Sequence, residues 1–259
     1  MSIRNTARER LERGEVSIGL GVRLARTVDI AKVAKATGFD WLFLDLEHGP
    51  MSLETCSAIS VAALDAGIAP LVRVPNGEYA MATRALDAGA LGIVVPHVDT
   101  AEEAREVVSK LKYPPIGHRS VAGQQPQFDF KAMKIDELTA TLNAATLTIV
   151  MIETPTAVAN ADAIVATPGV DGVMIGTNDL AAELGIPGDY GNPKIVAAYE
   201  TVIAACKKHN KWPGMGGVRD DRLTKQYIDM GIRMILAGAE VSILMGALTA
   251  RTNYMRSCL

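Results

Sequence analysis

Short runs of Val, Ile and Leu recur along the chain, and each gives way to a longer stretch in which apolar residues return every three or four positions among Ala and charge. The runs read as eight strands: SIGLGVRL (17–24), DWLFLDLE (40–47), APLVRV (69–74), LGIVVPHV (91–98), LTIVMIE (147–153), DGVMIG (171–176), WPGMGG (212–217) and RMILAG (233–238). The helical-period stretches between them predict helices over 27–38, 52–67, 78–89, 100–112, 156–167, 192–210 and 219–231. Several of these close on Gly, as in DAGIAP and DAGALG, where a left-handed cap would end the helix just before the next strand. Strands alternating with helices specify βα units and a parallel sheet. Repeated eight times, they fit a (β/α)8 TIM barrel of the α/β class, one domain over 1–259. A doubly wound open sheet is the structural alternative, but no GxGxxG or GxxxxGK[ST] fingerprint opens any of the helices.

Segment 112–130, KYPPIGHRSVAGQQPQFDF, escapes the alternation and is too long for an ordinary barrel connection.

Composition narrows the function classes. A chain of 259 residues that is 49% hydrophobic can bury a barrel-sized core. A formal net charge of -3 gives no reason to invoke nucleic acid or an anionic membrane, so a small molecule is the default partner. The three cysteines, Cys56, Cys206 and Cys258, have no metal-ligand spacing and fit a reducing compartment. Charges interrupt MSIRNTARERLERGEVSIG where a signal peptide needs its apolar stretch, and Glu240 breaks MILAGAEVSILMGAL, which is too short to span a bilayer. The expectation is a cytoplasmic, soluble protein.

Barrel enzymes gather their chemistry where strands end at the C-terminal face. Here the otherwise apolar strands exit through Asp45, Glu47 and His48 (second), Arg73 (third), His97 (fourth), Glu153 (fifth) and Gly176 to Asp179 (sixth). No strand interior carries a Lys for a Schiff base, and no GxSxG elbow is present. Two carboxylates on neighbouring strands, Glu153 and Asp179, suit a hard cation such as Mg2+ or Mn2+. His48 has the chemistry to move a proton, and Arg73 to hold an oxyanion or a carboxylate. Each residue also has a plainer reading: the carboxylates as helix caps or salt-bridge partners, Arg73 paired with Asp45 or Glu47, His48 as a turn residue. Glu47 reads as a supporting neighbour of the site, Arg119 and Ser120 as either acceptor contacts or a subunit contact, and His118 and His209 carry no assigned role.

The ordered motifs DLEHGP, VRVP, VPHVDTAEEA, YPPIGHRS, IETPTAVAN and GVMIGTNDLAAELG resemble the HpcH/HpaI family of metal-dependent, pyruvate-specific aldolases in the phosphoenolpyruvate/pyruvate barrel superfamily. The resemblance runs from about Gly14 to about Gly246. It implies that Glu153 and Asp179 bind a divalent metal (Mg2+, Mn2+ or Co2+), that His48 is the base and that Arg73 steadies the pyruvate enolate. It further implies that Asp45 orders the site and that Asp87 reaches the His of an adjacent subunit. The backbone of Gly176, Thr177, Asn178 and Asp179 would receive the pyruvate carboxylate. Relatives of this kind are hexamers with an exchanged C-terminal helix, here VSILMGALTARTNYM. The chain departs from the pattern at Met151, where an amide is common, at GTND in place of Gly-Pro-Ala-Asp, and at GHRS in place of Gly-x-Arg-Gly.

The implied reaction is reversible cleavage of a 4-hydroxy-2-oxo acid to pyruvate, or an analogue such as hydroxypyruvate, and an aldehyde. The enzymatic alternative is a carbon–carbon lyase acting on a coenzyme A thioester, of the citrate-lyase-β type. Its diphosphate would call for a basic patch, and the sequence shows no cluster of Lys and Arg at the strand ends. A non-catalytic barrel serving as a binding protein is the third reading.

Overall fold

The computed structural model describes residues 3–259. Eight strands close into a parallel barrel in sequence order: β1 (Ser17–Val22), β2 (Trp41–Asp45), β3 (Ala69–Arg73), β4 (Gly92–Val95), β5 (Leu147–Ile152), β6 (Gly172–Gly176), β7 (Trp212–Gly216) and β8 (Met234–Ala239). All eight expected strands are present. Both faces of the central strands are covered, so β2 through β6 are buried at every position, as near-continuous apolar runs in a parallel sheet must be.

Side-chain direction alternates along each strand and divides the core in two. Leu42, Leu44, Val72, Val150, Ile152, Val173 and Ile175 face the surrounding helices. Trp41, Phe43, Leu71, Ile149, Met151 and Met174 fill the barrel interior. Continuing the inward phase by two residues reaches Asp45, Arg73, Glu153 and Gly176. The topmost inner layer is therefore charged, and it rests on an apolar plug.

The expected helices are present, with one change. The segment expected as a single helix over 156–167 is two short helices, Pro155–Ala159 and Ala161–Val165, broken at Asn160, whose side-chain N–H donates to the Asp99 carbonyl. Gly67 ends the helix Leu53–Ala66 in the left-handed conformation, where a side chain would be strained.

Three α-helices lie outside the expectation. Thr6–Glu12 closes the N-terminal end of the barrel, packing Ala7 and Leu11 against the interior cluster. Asn5 anchors it by donating to the carbonyls of Leu91 and Ala145. Ile135–Ala145 packs Leu138 and Leu142 against Tyr113 and Phe128. Thr177–Glu183 starts directly from β6.

The C-terminal helix, Glu240–Ser257, buries no residue and exposes Ile243, Leu244, Met245, Leu248, Tyr254 and Met255. Among the described residues, no helix is long and apolar enough to cross a membrane.

Segment 112–130 folds onto the flank of the barrel rather than over its mouth. Asn143 brackets Tyr113, accepting its N–H and donating to its carbonyl. The Arg119 guanidinium lies over the Tyr113 ring at 4.5 Å and donates to Asp87 at 2.6 Å.

Candidate active site

A cavity of about 210 Å³ opens at the C-terminal ends of the strands, where Asp45, His48, Arg73, Glu153, Asp179 and the Gly176–Asn178 backbone all line it. Its floor is apolar, with Phe43, Met151, Met174 and Leu236.

On one side, β2 and β3 end in register, so Asp45 stands beside Arg73. Arg73 forks onto Asp45, with Nε donating to Oδ1 at 3.0 Å and Nη2 to Oδ2 at 2.7 Å. Its Nη1 lies 3.0 Å from Glu47 Oε2. Asp45 Oδ1 also accepts the backbone N–H groups of Glu47 and His48, each at 3.1 Å, and so shapes the turn that carries His48. Two of the five N–H groups of the guanidinium are thus bonded to Asp45, and the others remain for Glu47 and the cavity that Arg73 lines. Asp45 is only 1% exposed, yet its charge is fully answered. The His48 side chain is 54% exposed at the rim, with Nε2 3.7 Å from Glu47.

The other side differs. Glu153 is 1% exposed and continues the inward phase of β5. A Cβ at residue 176 would meet the Glu153 carboxylate, so only glycine fits there. Glu153 accepts the His97 backbone N–H at 2.9 Å, and His97 holds a left-handed φ of 52° to deliver it. Burial pushes the Glu153 carboxyl up to about 7; the His97 N–H and side chain pull it down, the Asp179 charge raises it further, and Arg73 lowers it. A buried carboxylate thus lies within the field of a second, exposed one at the mouth of the cavity.

Next to them, Thr177 opens its helix with no side-chain cap. The Thr177 hydroxyl is committed to Tyr199 and the Gly216 carbonyl, and Asn178 Oδ1 accepts from Tyr190, so this turn offers the cavity its backbone and the Asn178 amide nitrogen.

Asp87 does not join this group. It ends the helix Tyr79–Asp87 outside the cavity, held by Arg119 and Gln125. Arg119 and Ser120 likewise do not line the cavity, which removes them as acceptor contacts within this chain.

Three features of the mouth were missed in the sequence. Glu240, read only as a break in an apolar run, accepts the backbone N–H groups of Arg23, Leu24 and Ala25 on one carboxylate oxygen, at 2.7, 2.5 and 3.0 Å. Arg23 Nε in turn donates to the His48 carbonyl at 2.8 Å. The expectation that no basic residues gather at the strand ends is also corrected, since Arg23 and Arg219 both line the cavity. Each stands just beyond its strand, in a turn whose packing only the fold reveals.

A closed parallel barrel with a buried glutamate, a second carboxylate, an arginine fork and a histidine around one cavity at its C-terminal end defines a barrel enzyme site. The chain belongs to the HpcH/HpaI aldolase/citrate lyase family, whose sequence profile matches residues 22–245. It is 36% identical to a 4-hydroxy-4-methyl-2-oxoglutarate aldolase of Hapsidospora irregularis over 93% of this chain and 90% of that protein. It is 34% identical to a 2-keto-3-deoxy-L-rhamnonate aldolase of Escherichia coli over 98% of this chain and 94% of that protein. The crystal structure of an HpcH/HpaI aldolase from Desulfitobacterium hafniense superposes with a TM-score of 0.91 at 30% identity, covering 96% of both chains. The protein is an enzyme, an aldehyde-lyase.

Proposed function

We propose that the chain is a divalent-metal-dependent aldolase that reversibly cleaves a 4-hydroxy-2-oxo acid to pyruvate, or a close analogue such as hydroxypyruvate, and an aldehyde. The observation that carries this reading is the Glu153–Asp179 corner, where a buried carboxyl raised to about 7 faces a second carboxylate. Among the described residues no cluster of three His, Cys, Asp or Glu could hold a metal. Two carboxylates still suit Mg2+ or Mn2+, which keep several water or substrate oxygens in their shell. Glu153 and Asp179 would hold the ion, and its charge would polarise the 2-oxo group of the substrate.

The remaining work falls to the chain itself. The uncapped turn at Gly176–Asp179 presents backbone N–H groups to the substrate carboxylate. The spare N–H groups of Arg73 meet the 2-oxo oxygen as it gains negative charge, and Asp45 holds the guanidinium plane in place for this. In the cleavage direction, a base dependent on His48 takes the proton of the 4-hydroxyl. The C3–C4 bond breaks, the aldehyde leaves, and its electron pair remains on the pyruvate enolate, which regains a proton at C3. The reverse sequence gives addition. Met151 and Met174 on the floor offer the C3 carbon an apolar surface without a competing hydrogen-bond donor.

Assembly enters the same reading. An exposed apolar helix, Glu240–Ser257, supports exchange between subunits into a hexamer, and Asp87 can approach a His48 only from a neighbouring chain. A monomer by light scattering would remove Asp87 from the scheme. The coenzyme A reading draws less support, because Arg23 is spent on the His48 carbonyl, and the two arginines that line the cavity apart from Arg73 make a poor diphosphate patch.

The direct test is proton NMR of pyruvate in D2O with purified protein. Loss of the methyl signal with Mn2+ or Mg2+, abolished by EDTA, is expected. Absence of exchange with metal bound would reject pyruvate as the donor.

A further inference from the structure

The chain departs from the family pattern at two consecutive positions just beyond β6, where Thr177 and Asn178 stand in place of Pro and Ala. Neither replaced side chain could make a hydrogen bond, and both of the residues present do. The Thr177 hydroxyl, fully buried, lies 2.7 Å from the Tyr199 hydroxyl. Asn178 is exposed and lines the cavity, and its Oδ1 accepts from the Tyr190 hydroxyl at 2.6 Å.

The two tyrosines belong to one connected structure. Tyr199, on the helix Pro193–Lys208, stacks on Tyr227, on the helix Asp221–Met230, with ring centroids 3.8 Å apart. Both stacked residues are fully buried, and the Tyr227 hydroxyl donates to the Tyr190 carbonyl at 2.6 Å. A path of contacts thus leaves the site at Thr177, passes through three tyrosines and returns at Asn178. Tyr190 therefore holds its hydroxyl where the packed helices put it.

That hydroxyl decides which way the amide faces. A side-chain amide has an oxygen that accepts and a nitrogen that donates, and the two ends differ little in shape. With Oδ1 committed to Tyr190, Nδ2 is the end left to the cavity. Gly217 makes room for this pose: at a left-handed φ of 96°, a Cβ there would lie 3.0 Å from Asn178 Oδ1 and 3.1 Å from its Cγ. Tyr190 does not line the cavity, so it reaches a ligand only through Asn178.

We infer that Tyr190 is a positioning residue that turns the Asn178 amide, and that Asn178 Nδ2 donates to the carboxylate of the bound 2-oxo acid. The carboxylate is the end of the substrate seated at this turn, and its charge makes it the strongest acceptor a neutral N–H meets there. This inference rests on the aldolase reading and adds to the backbone contacts of that reading a side chain and the residue that orients it.

The experiment measures kcat and KM for pyruvate in methyl-proton exchange by the Mn2+-loaded protein, together with a Mn2+ titration of each variant. Losing a contact made equally in the ground and transition states raises KM and leaves kcat unchanged. Asn178→Ala is expected to raise KM at least about fivefold, the worth of a charge-assisted hydrogen bond discounted for exposure. Tyr190→Phe removes one hydroxyl, keeps the ring and the carbonyl that Tyr227 uses, and is expected to raise KM about threefold. Both should keep kcat and Mn2+ affinity within about twofold of the parent. Combined, they should give the KM of Asn178→Ala alone, because Tyr190 then has nothing left to orient. A KM within about twofold of the parent in either single variant overturns the proposal, as does a further rise of about threefold in the double variant, which a loop-packing role would give. Weaker Mn2+ binding in step with KM would move Asn178 to the metal site and overturns it as well. A wild-type protein that exchanges no pyruvate protons would instead reject the aldolase reading, and this inference with it.

Discussion

The β2–β3 corner and the β5–β6 corner stand at the same height in the barrel and each centres on a buried carboxylate, yet their electrostatics are opposite. At the first, a buried aspartate is matched by an arginine fork and two backbone N–H groups. At the second, an equally buried glutamate receives one backbone N–H and a histidine edge, and faces another carboxylate. A buried charge with all its partners is scaffold; a buried charge short of partners waits for a ligand. The first corner orients, and in the proposed scheme the second is the one that would hold the cation.

Removing the charge at the second corner should have the largest effect. Glu153→Gln is expected to lower pyruvate proton exchange at least about a hundredfold, since even partners that merely orient metal ligands are worth 10–100-fold. Mn2+ titration should show the binding lost. The metal-free variant should be no less stable than the parent, because it relieves a strained carboxylate. Retained exchange would sink the reading of this corner.

Arg73→Ala attacks the first corner. It leaves Asp45 buried without its cation, which costs about 3–5 kcal/mol of stability. Turnover should fall about a hundredfold or more while Mn2+ binding persists, since neither Glu153 nor Asp179 is touched. Arg73→Lys keeps the charge without the fork and serves where the alanine variant folds poorly. Near-normal turnover in a folded variant would refute the role given to Arg73.

Much of this contrast was legible in the sequence. The strands stand out because a sheet covered on both faces needs continuous apolar runs, and the inward phase of those runs leads straight to Asp45, Arg73 and Glu153. Asp179 was visible as a polar residue just beyond a strand. What stayed hidden depends on long-range geometry. The partners of Glu240 lie 215 to 217 residues away, so no local pattern marks it as anything but an interruption. Arg219 is one arginine in a polar turn until β7 and β1 are known to flank β8. The helix Thr177–Glu183 begins with Thr and Asn, which favour turns when read alone, and it forms because Thr177 is locked to Tyr199. Segment 112–130 stood out in the sequence only for its length, and its Tyr113 and Arg119 serve a contact on the barrel flank that no local pattern shows.

Titration separates the corners without mutation. For the metal-free protein, Glu153 binds its proton up to about pH 7 when folded but only to 4.5, its ordinary value, when unfolded. Between those values the native state holds the extra proton, so stability falls as pH rises from about 4.5 to about 7 and levels off above. The span corresponds to about 3 kcal/mol. Urea unfolding across this range in EDTA should show the decline. Saturating Mn2+ should counter it, and Glu153→Gln should lack this component. A decline that survives in Glu153→Gln would place its origin elsewhere.

The smallest expected effect tests whether the first corner is held from outside. Glu240 gathers the N–H groups of Arg23, Leu24 and Ala25, and Arg23 then holds the His48 carbonyl, its Nε lying 3.7 Å from Asp45 Oδ2. The turn that carries His48 is thus pinned twice, once by a buried ion pair and once by a chain of contacts that begins at the C-terminal helix. These outer contacts are exposed, and each contributes only about 1 kcal/mol. Glu240→Ala should therefore loosen the loop without unfolding the barrel, lowering kcat/KM about three- to tenfold and speeding amide exchange at Leu24 and Ala25. Glu240→Gln keeps an oxygen that accepts the same N–H groups and should stay within about twofold of the parent, because what the loop requires from residue 240 is an acceptor more than a charge. If alanine and glutamine behave alike, the pin is electrostatic or irrelevant, and His48 owes its position to Asp45 alone.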